Sequence, residues 1–366
     1  MAAVRTFPPK SDEKWKYTPL AQVIAAFDAA TPGAPTTVTA EQLNSLIGGR
    51  DEIRLVTVNG MFDPSLSTSV LPAGVRISAG RVNVGESVAV ERPIHIVHVG
   101  APGQGPTVSS AMAIVDVGER SQVTLVETFC GLPGPMAIDG SLTLNVAASA
   151  QVELIRVQSA PRQAVLIGLT QIAAAANTNV HVVDLSIGGD IARHEIEARF
   201  TGDGAQMNIH GLYVPVGGQQ HDTVVSVDHA ASHCASRQDY FGVIDGHAHG
   251  SFIGHIIVRP GIVDTDAHQS NRNLALTRSA EVNTRPWLEI LADDVRCTHG
   301  ATVGRLDDAA MFYLQSRGIP KAKARSMLIE AFIVTVAQAI PDEAVRQHVG
   351  ELIRAHATSP GHGDQR

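Results

Sequence analysis

One phrase recurs through the middle of the chain: a small or polar turn, then a short run with apolar residues at alternate positions. It reads Glu119-Arg120-Ser121-Gln122-Val123-Thr124-Leu125-Val126, then Ala148-Ser149-Ala150-Gln151-Val152-Glu153-Leu154-Ile155. It returns as Asn177-Thr178-Asn179-Val180-His181-Val182-Val183 and as Gly204-Ala205-Gln206-Met207-Asn208-Ile209-His210. The aligned positions 123, 152, 180 and 207 lie 29, 28 and 27 residues apart. A unit of that length built from strands and turns cannot bury its own apolar face, so it stacks on copies of itself as a solenoid. The alternative, a β-sandwich, places strands about every 8–12 residues without a longer period. The expected fold is mainly β, a parallel β-helix. An aromatic content of 4% suits such a narrow core of Val, Ile, Leu and Ala.

The texture changes on either side of this body, giving three regions: a helical cap over 1–52, a β-helix core over 53–300 and a helical domain over 301–366. In the first, helical patterns over 19–30 and 39–48 flank the loop Thr31-Pro32-Gly33-Ala34-Pro35, and Trp15 and Tyr17 sit in a polar setting. Toward the other end, Trp287 to Cys297 reads as extended chain broken by an Asp293-Asp294 turn, with Leu288 and Ile290 on one face and Trp287, Glu289 and Leu291 on the other. After Gly304 the period becomes helical. Asp307 caps a helix over 307–317, which Gly318 and Pro320 close. A second helix over 321–339 aligns Ala324, Met327, Leu328, Ala331, Phe332 and Thr335. Pro341 opens a third, bearing Val345, Val349, Leu352 and Ile353. The last ten or so residues are expected to fray.

Composition removes several function classes. A net charge of −8 argues against nucleic-acid binding. The chain has 3 cysteines, Cys130, Cys234 and Cys297, far apart and without a C-x-x-C pair, which gives no disulfide framework and no self-sufficient zinc or cluster site. No secretion signal, membrane-spanning run, P-loop or Gly-x-Ser-x-Gly elbow is legible, so a soluble cytoplasmic protein is expected. A β-helix enzyme acting on carbohydrate would want secretion, a carboxylate cluster and exposed aromatics, and none of the three is clear.

Two histidine-bearing stretches hold candidate chemistry. Of 16 histidines, ten lie between 181 and 268. Asp245-Gly246-His247-Ala248-His249-Gly250 would place two imidazoles on one strand face, as a metal-dependent hydrolase does, but it falls late in a region without crossover helices. Most of these histidines read instead as polar groups of turns and interfaces. Cys297 and His299, separated by one residue, share a face if they lie on a strand. Burial alone accounts for a cysteine of this kind. Thiolate and imidazole together suit iron or a nascent iron–sulfur cluster, and two ligands would need a partner chain to supply the rest.

Three runs carry a family resemblance: Ala267-His268-Gln269-Ser270-Asn271-Arg272-Asn273-Leu274-Ala275-Leu276; Pro286-Trp287-Leu288-Glu289-Ile290-Leu291-Ala292-Asp293-Asp294-Val295-Arg296-Cys297-Thr298-His299-Gly300-Ala301-Thr302-Val303-Gly304; and Phe312-Tyr313-Leu314-Gln315-Ser316-Arg317-Gly318-Ile319. With the opening Asp12-Glu13-Lys14-Trp15-Lys16-Tyr17-Thr18-Pro19-Leu20, they resemble the SufB/SufD family of the SufBCD iron–sulfur cluster assembly complex. The resemblance implies a right-handed parallel β-helix between helical ends and a non-catalytic scaffold role. It implies pairing with a SufB paralogue through the β-helix, docking of the ABC-type ATPase SufC on the C-terminal helices, and a homodimer when isolated. A transient cluster would form at the SufB–SufD interface, with His299, and Cys297 beside it, as ligands. The docking surface would comprise Leu306, Met311, Phe312, Tyr313, Arg317, Gly318, Ile319 and Pro320. SufB carries a sulfur-accepting cysteine in the stretch matching Gln269 to Asn273; its absence here aligns the chain with the SufD branch. A reduced flavin accompanies the family's complex, although this sequence has no flavin signature.

Overall fold

The computed structural model describes residues 6–9, 11–33, 36–103, 105–340 and 343–357. Its body is a β-solenoid of about eight turns in which the chain alternates between two long parallel sheets, with helices at both ends of the sequence. Among the described residues, one sheet has 10 strands, ending at Glu281–Ile290, and the other 11, ending at Val295–Gly304. Among the described residues, antiparallel pairing is confined to hairpins near the start, between Ile53–Val58 and Met61–Phe62 and between Val75–Ser78 and Arg81–Val84.

The sequence repeat is the register of this stack. Val123 pairs with Val152, Val152 with Val180, and Val180 with Met207. The column continues through Ser236, Ala267 and Cys297, where the repeated phrase has faded from the sequence. Three residues before each column member up to Ala267, the backbone turns through the left-handed region: Arg120, Ser149, Asn177, Gly204, His233 and Asp264 have φ of 57°, 61°, 57°, 75°, 57° and 51°. Non-glycine residues adopt that region at a cost of about 1–2 kcal/mol. The corners offset it by bonding to one another: the amides of Ser149, Asn177, Gly204 and His233 donate to the carbonyls of Ala176, Asp203, Ser232 and Val263, each at 2.9–3.0 Å.

Between the sheets runs a core of Val, Ile, Leu and Ala, from Ile53 and Leu55 to Ile244 and Phe252. Outward positions are covered on two flanks. Trp15, Leu20 and Val23 pack on Val165, Ile167 and Ile191 of the ten-stranded sheet, and the Arg193 guanidinium lies 4.1 Å from the Trp15 ring. Trp15 is therefore buried, although its sequence neighbours are polar. Helices Leu20–Ala29 and Ala40–Ile47 run along the flanks of the solenoid. A Thr39–Gln42 capping box starts the second, whose Leu43 and Ile47 pack on Val56, Val97 and Cys130. Thr31–Pro32, read as loop, pairs with Thr107 and Val108, while Ala34 and Pro35 lie outside the described residues.

The C-terminal helices fold back along the outside of the eleven-stranded sheet. Asp307 caps Asp308–Ser316 by accepting from the Ala309 and Ala310 amides, and Lys321–Gln338 and Glu343–Ala357 follow. Ile329, Ile333, Val336, Ile340, Val345 and Val349 cover Ile155, Val157, Val183, Leu185 and Leu212. The buried stripe differs from the expected one: Met327 is exposed and Ile329 and Ile333 are buried. Lys321–Gln338 is apolar on several faces, so its own period does not choose one; the sheet selects the branched side chains that fit its pleats. Pro341 lies outside the described residues, as do the side chains of Thr335 and Ile353 and the expected frayed end beyond 357.

Candidate functional site

Cys297 and His299 lie on Val295–Gly304, the last strand of its sheet, in register with Ala267 and Gln269 of the coil below. Val295 and Cys297, with Leu288 and Ile290, pack inward against the cluster of Ile256, Val258 and Ala267. Side chains alternate along a strand, so His299 occupies the same, inward-facing set of positions. The strand is a terminal edge, and from Thr298 to Gly304 its residues are exposed, so the imidazole stands at the open mouth of the solenoid. Glu281–Ile290 ends the other sheet beside it. Burial, reinforced by the Asp266 carboxylate, raises the Cys297 thiol pKa, which favours the protonated thiol.

Other candidates fall elsewhere. His247 sits in the turn between Ala235–Gly246 and His249–Val258, so the two imidazoles do not share a strand face; the intervening Gly246 turns at φ 71°. His249 instead approaches Glu281 at 3.2 Å. Among the described residues no group of three or more His, Cys, Asp or Glu side chains is arranged to hold a metal ion. On the first C-terminal helix, Phe312 and Tyr313 are 74% and 56% exposed, and the Arg317 guanidinium lies 5.1 Å from the Tyr313 ring. Met311 and Ile319 are half-buried, and Arg317, Gly318 and Pro320 are exposed. Leu306 is already packed against the helix–sheet core of its own chain.

Several histidines read as turn or interface groups are interior. His229 faces inward, bonded to Ser236 at 2.8 Å, and burial lowers its pKa to about 4. His98 and His194 belong to an ionic file that sequence reasoning missed. Glu127, Arg156 and Asp184 occupy one inward column. Arg156 Nη1 donates to Asp184 at 3.0 Å and its Nε lies 3.6 Å from Glu127. His98 approaches Glu127 at 3.6 Å, and His194 approaches Asp184 at 3.1 Å. Burial alone would raise the Asp184 pKa, but His194 and Arg156 outweigh it and hold the carboxyl at about 2. Burial and the Arg156 charge depress the His194 pKa, against the pull of the Asp184 carboxylate. A signal was available: these residues stand four positions after Val123, Val152 and Val180, an even offset that points them inward.

The comparisons fit this geometry. Residues 99–332 match the family model described as "SUF system FeS cluster assembly, SufBD core domain". The chain is 30% identical to the iron-sulfur cluster assembly protein SufD of Escherichia coli (strain K12), over 97% of this chain and 90% of that protein. It is 27% identical to an iron-sulfur cluster assembly SufBD family protein of Synechocystis sp., covering 91% and 84%. Protein ABCI7, chloroplastic, of Arabidopsis thaliana is 28% identical, covering 88% and 67%. A match over most of the β-solenoid, joined to end-to-end similarity with a relative of almost the same extent, places this chain in the SufBD family of iron–sulfur cluster assembly proteins.

Proposed function

We propose that this chain is one half of a two-subunit scaffold on which an iron–sulfur cluster is assembled and then released, the cluster being cargo. The observation that carries the reading is the placement of Cys297 and His299 on an exposed terminal edge strand. Two soft donors are too few to hold a cluster, so the remaining ligands come from a second chain that covers the edge. An unpaired strand edge offers backbone donors and acceptors for such pairing. A SufB-type paralogue is the proposed partner, with self-pairing in its absence. The solenoid supplies this surface, and the region after Gly304 serves a separate contact. The exposed Phe312 and Tyr313, with Met311, Arg317 and the 318–320 turn, form the surface for a SufC-type ATPase. Leu306 supports it from within. The chain itself catalyses no reaction in this scheme and works in the cytoplasm; ATP hydrolysis belongs to the ATPase. Such hydrolysis moves the scaffold only if the ATPase grips its two conformations with different affinity. A reduced flavin, if the complex uses one, is assigned to no residue here.

The test is reconstitution with a SufB-type and a SufC-type partner. The three proteins are expected to co-purify. His299→Ala is expected to leave that complex assembled while abolishing the iron- and sulfide-dependent absorbance of the cluster. Normal cluster build-up by His299→Ala removes His299 from the mechanism, and failure of the native chain to co-purify overturns the scaffold reading.

A further inference from the structure

The inward column below His299 contains two amides where a solenoid core calls for apolar side chains. Gln238 and Gln269 are in register on consecutive coils, 0% and 3% exposed, and Gln269 Nε2 donates to Gln238 Oε1 at 2.9 Å. That bond leaves Gln269 Oε1 buried without a hydrogen-bond partner. A buried amide acceptor left unpaired costs on the order of 1–3 kcal/mol. The opposite sheet is cut away to admit the pair: a Cβ at Gly254 would fall 2.0 Å from Gln269 Nε2. The next inward residue up the column is His299, paired to Gln269 across one strand spacing, about 4.8 Å.

We propose that Gln269 is the positioning residue for His299. Its Oε1 accepts a hydrogen from one imidazole nitrogen, which fixes the tautomer and turns the other, unprotonated nitrogen outward as the ligand. Gln238 holds the Gln269 amide in place from the coil beneath. The chemistry is that of metal-binding histidines generally, whose second ring nitrogen donates to a carbonyl or carboxylate. The inference rests on the reading of His299 as a cluster ligand, but it predicts a property of the imidazole that exists without any cluster.

The experiment is nitrogen NMR of the full-length chain labelled with ¹⁵N in its histidine rings, with His299→Gln assigning the signals. Native His299, in its neutral form, is expected to show one protonated and one bare nitrogen. Gln269→Leu is expected to release it to the tautomer mixture of a free imidazole. Gln269→Glu, close in shape, keeps an oxygen acceptor against the N–H and is expected to retain the native tautomer. Circular dichroism establishes that each variant folds; if Gln269→Leu does not, the Glu variant decides. An unchanged tautomer in a folded Leu variant, or a released tautomer in the Glu variant, overturns the proposal. Normal cluster assembly by His299→Ala would instead sink the ligand reading while leaving the NMR result standing.

Discussion

Arg156→Met would take the cation from between two buried carboxylates while keeping most of the side chain's volume. Arg156 is 1% exposed, 3.0 Å from Asp184 and 3.6 Å from Glu127, and its guanidinium lies 4.9 Å from the Phe129 ring. At an effective dielectric near 20, each charge pair at about 4 Å has a gross attraction of about 4 kcal/mol. Glu127 and Asp184 are two strands apart, about 9.6 Å by strand spacing, and once uncompensated they repel by about 1.7 kcal/mol. Relief of the guanidinium's own desolvation offsets much of this, and breaking a buried pair costs about 3–5 kcal/mol net. With an unfolding entropy of about 2.1 cal/mol/K per residue over 366 residues, a loss of 4 kcal/mol lowers the melting temperature by about 5 °C. The assay is thermal and urea unfolding followed by circular dichroism, on Arg156→Met and on the same variant carrying Glu127→Gln and Asp184→Asn. The triple variant is expected to recover at least half of the loss, because no uncompensated charge remains. A loss under about 1 kcal/mol in Arg156→Met would refute the view that this file is held by its central cation.

Other perturbations probe other parts of the molecule. The Asp184 and Glu52 carboxyls are both held at about 2; at Glu52 burial opposes the shift, and His95, Arg50 and Arg54 outweigh it. A depressed folded pKa contributes stability above the ordinary carboxylate range that is lost as pH falls toward 2, so the urea midpoint should drop between about pH 5 and 2. Asp184→Asn should flatten that decline; an identical acid profile in the variant would refute its assignment. Gly211→Ala puts a Cβ 1.8 Å from the Tyr240 ring and is expected to cost about 1–3 kcal/mol in urea unfolding, most of it regained in Gly211→Ala/Tyr240→Leu. Phe312→Ser with Tyr313→Ser removes exposed rings and should abolish co-purification with a SufC-type ATPase while moving the melting temperature by less than about 1 °C. Retained binding would take this helix out of the docking surface.

The sequence alone determined the stacking. The column through Val123, Val152, Val180 and Met207 follows from the repeat, because a solenoid requires each coil to repeat the apolar pattern of the last. The Asp307 cap and the helices on either side of the 318–320 turn were legible for the same reason: their signals are local. Cys297 and His299 could be placed on one face by parity. Tertiary structure decided what each face met. It buried Trp15 on Val165 and Ile167, turned Ile329 and Ile333 rather than Met327 toward the sheet, and separated His247 from His249 by a turn. It also brought Arg156 between Glu127 and Asp184, and Gln269 beneath His299. Periodicity fixes which residues share a side of a strand. What lies across from that side depends on neighbours about 30 residues or more away, and stacking the coils is what brings them within a few ångströms.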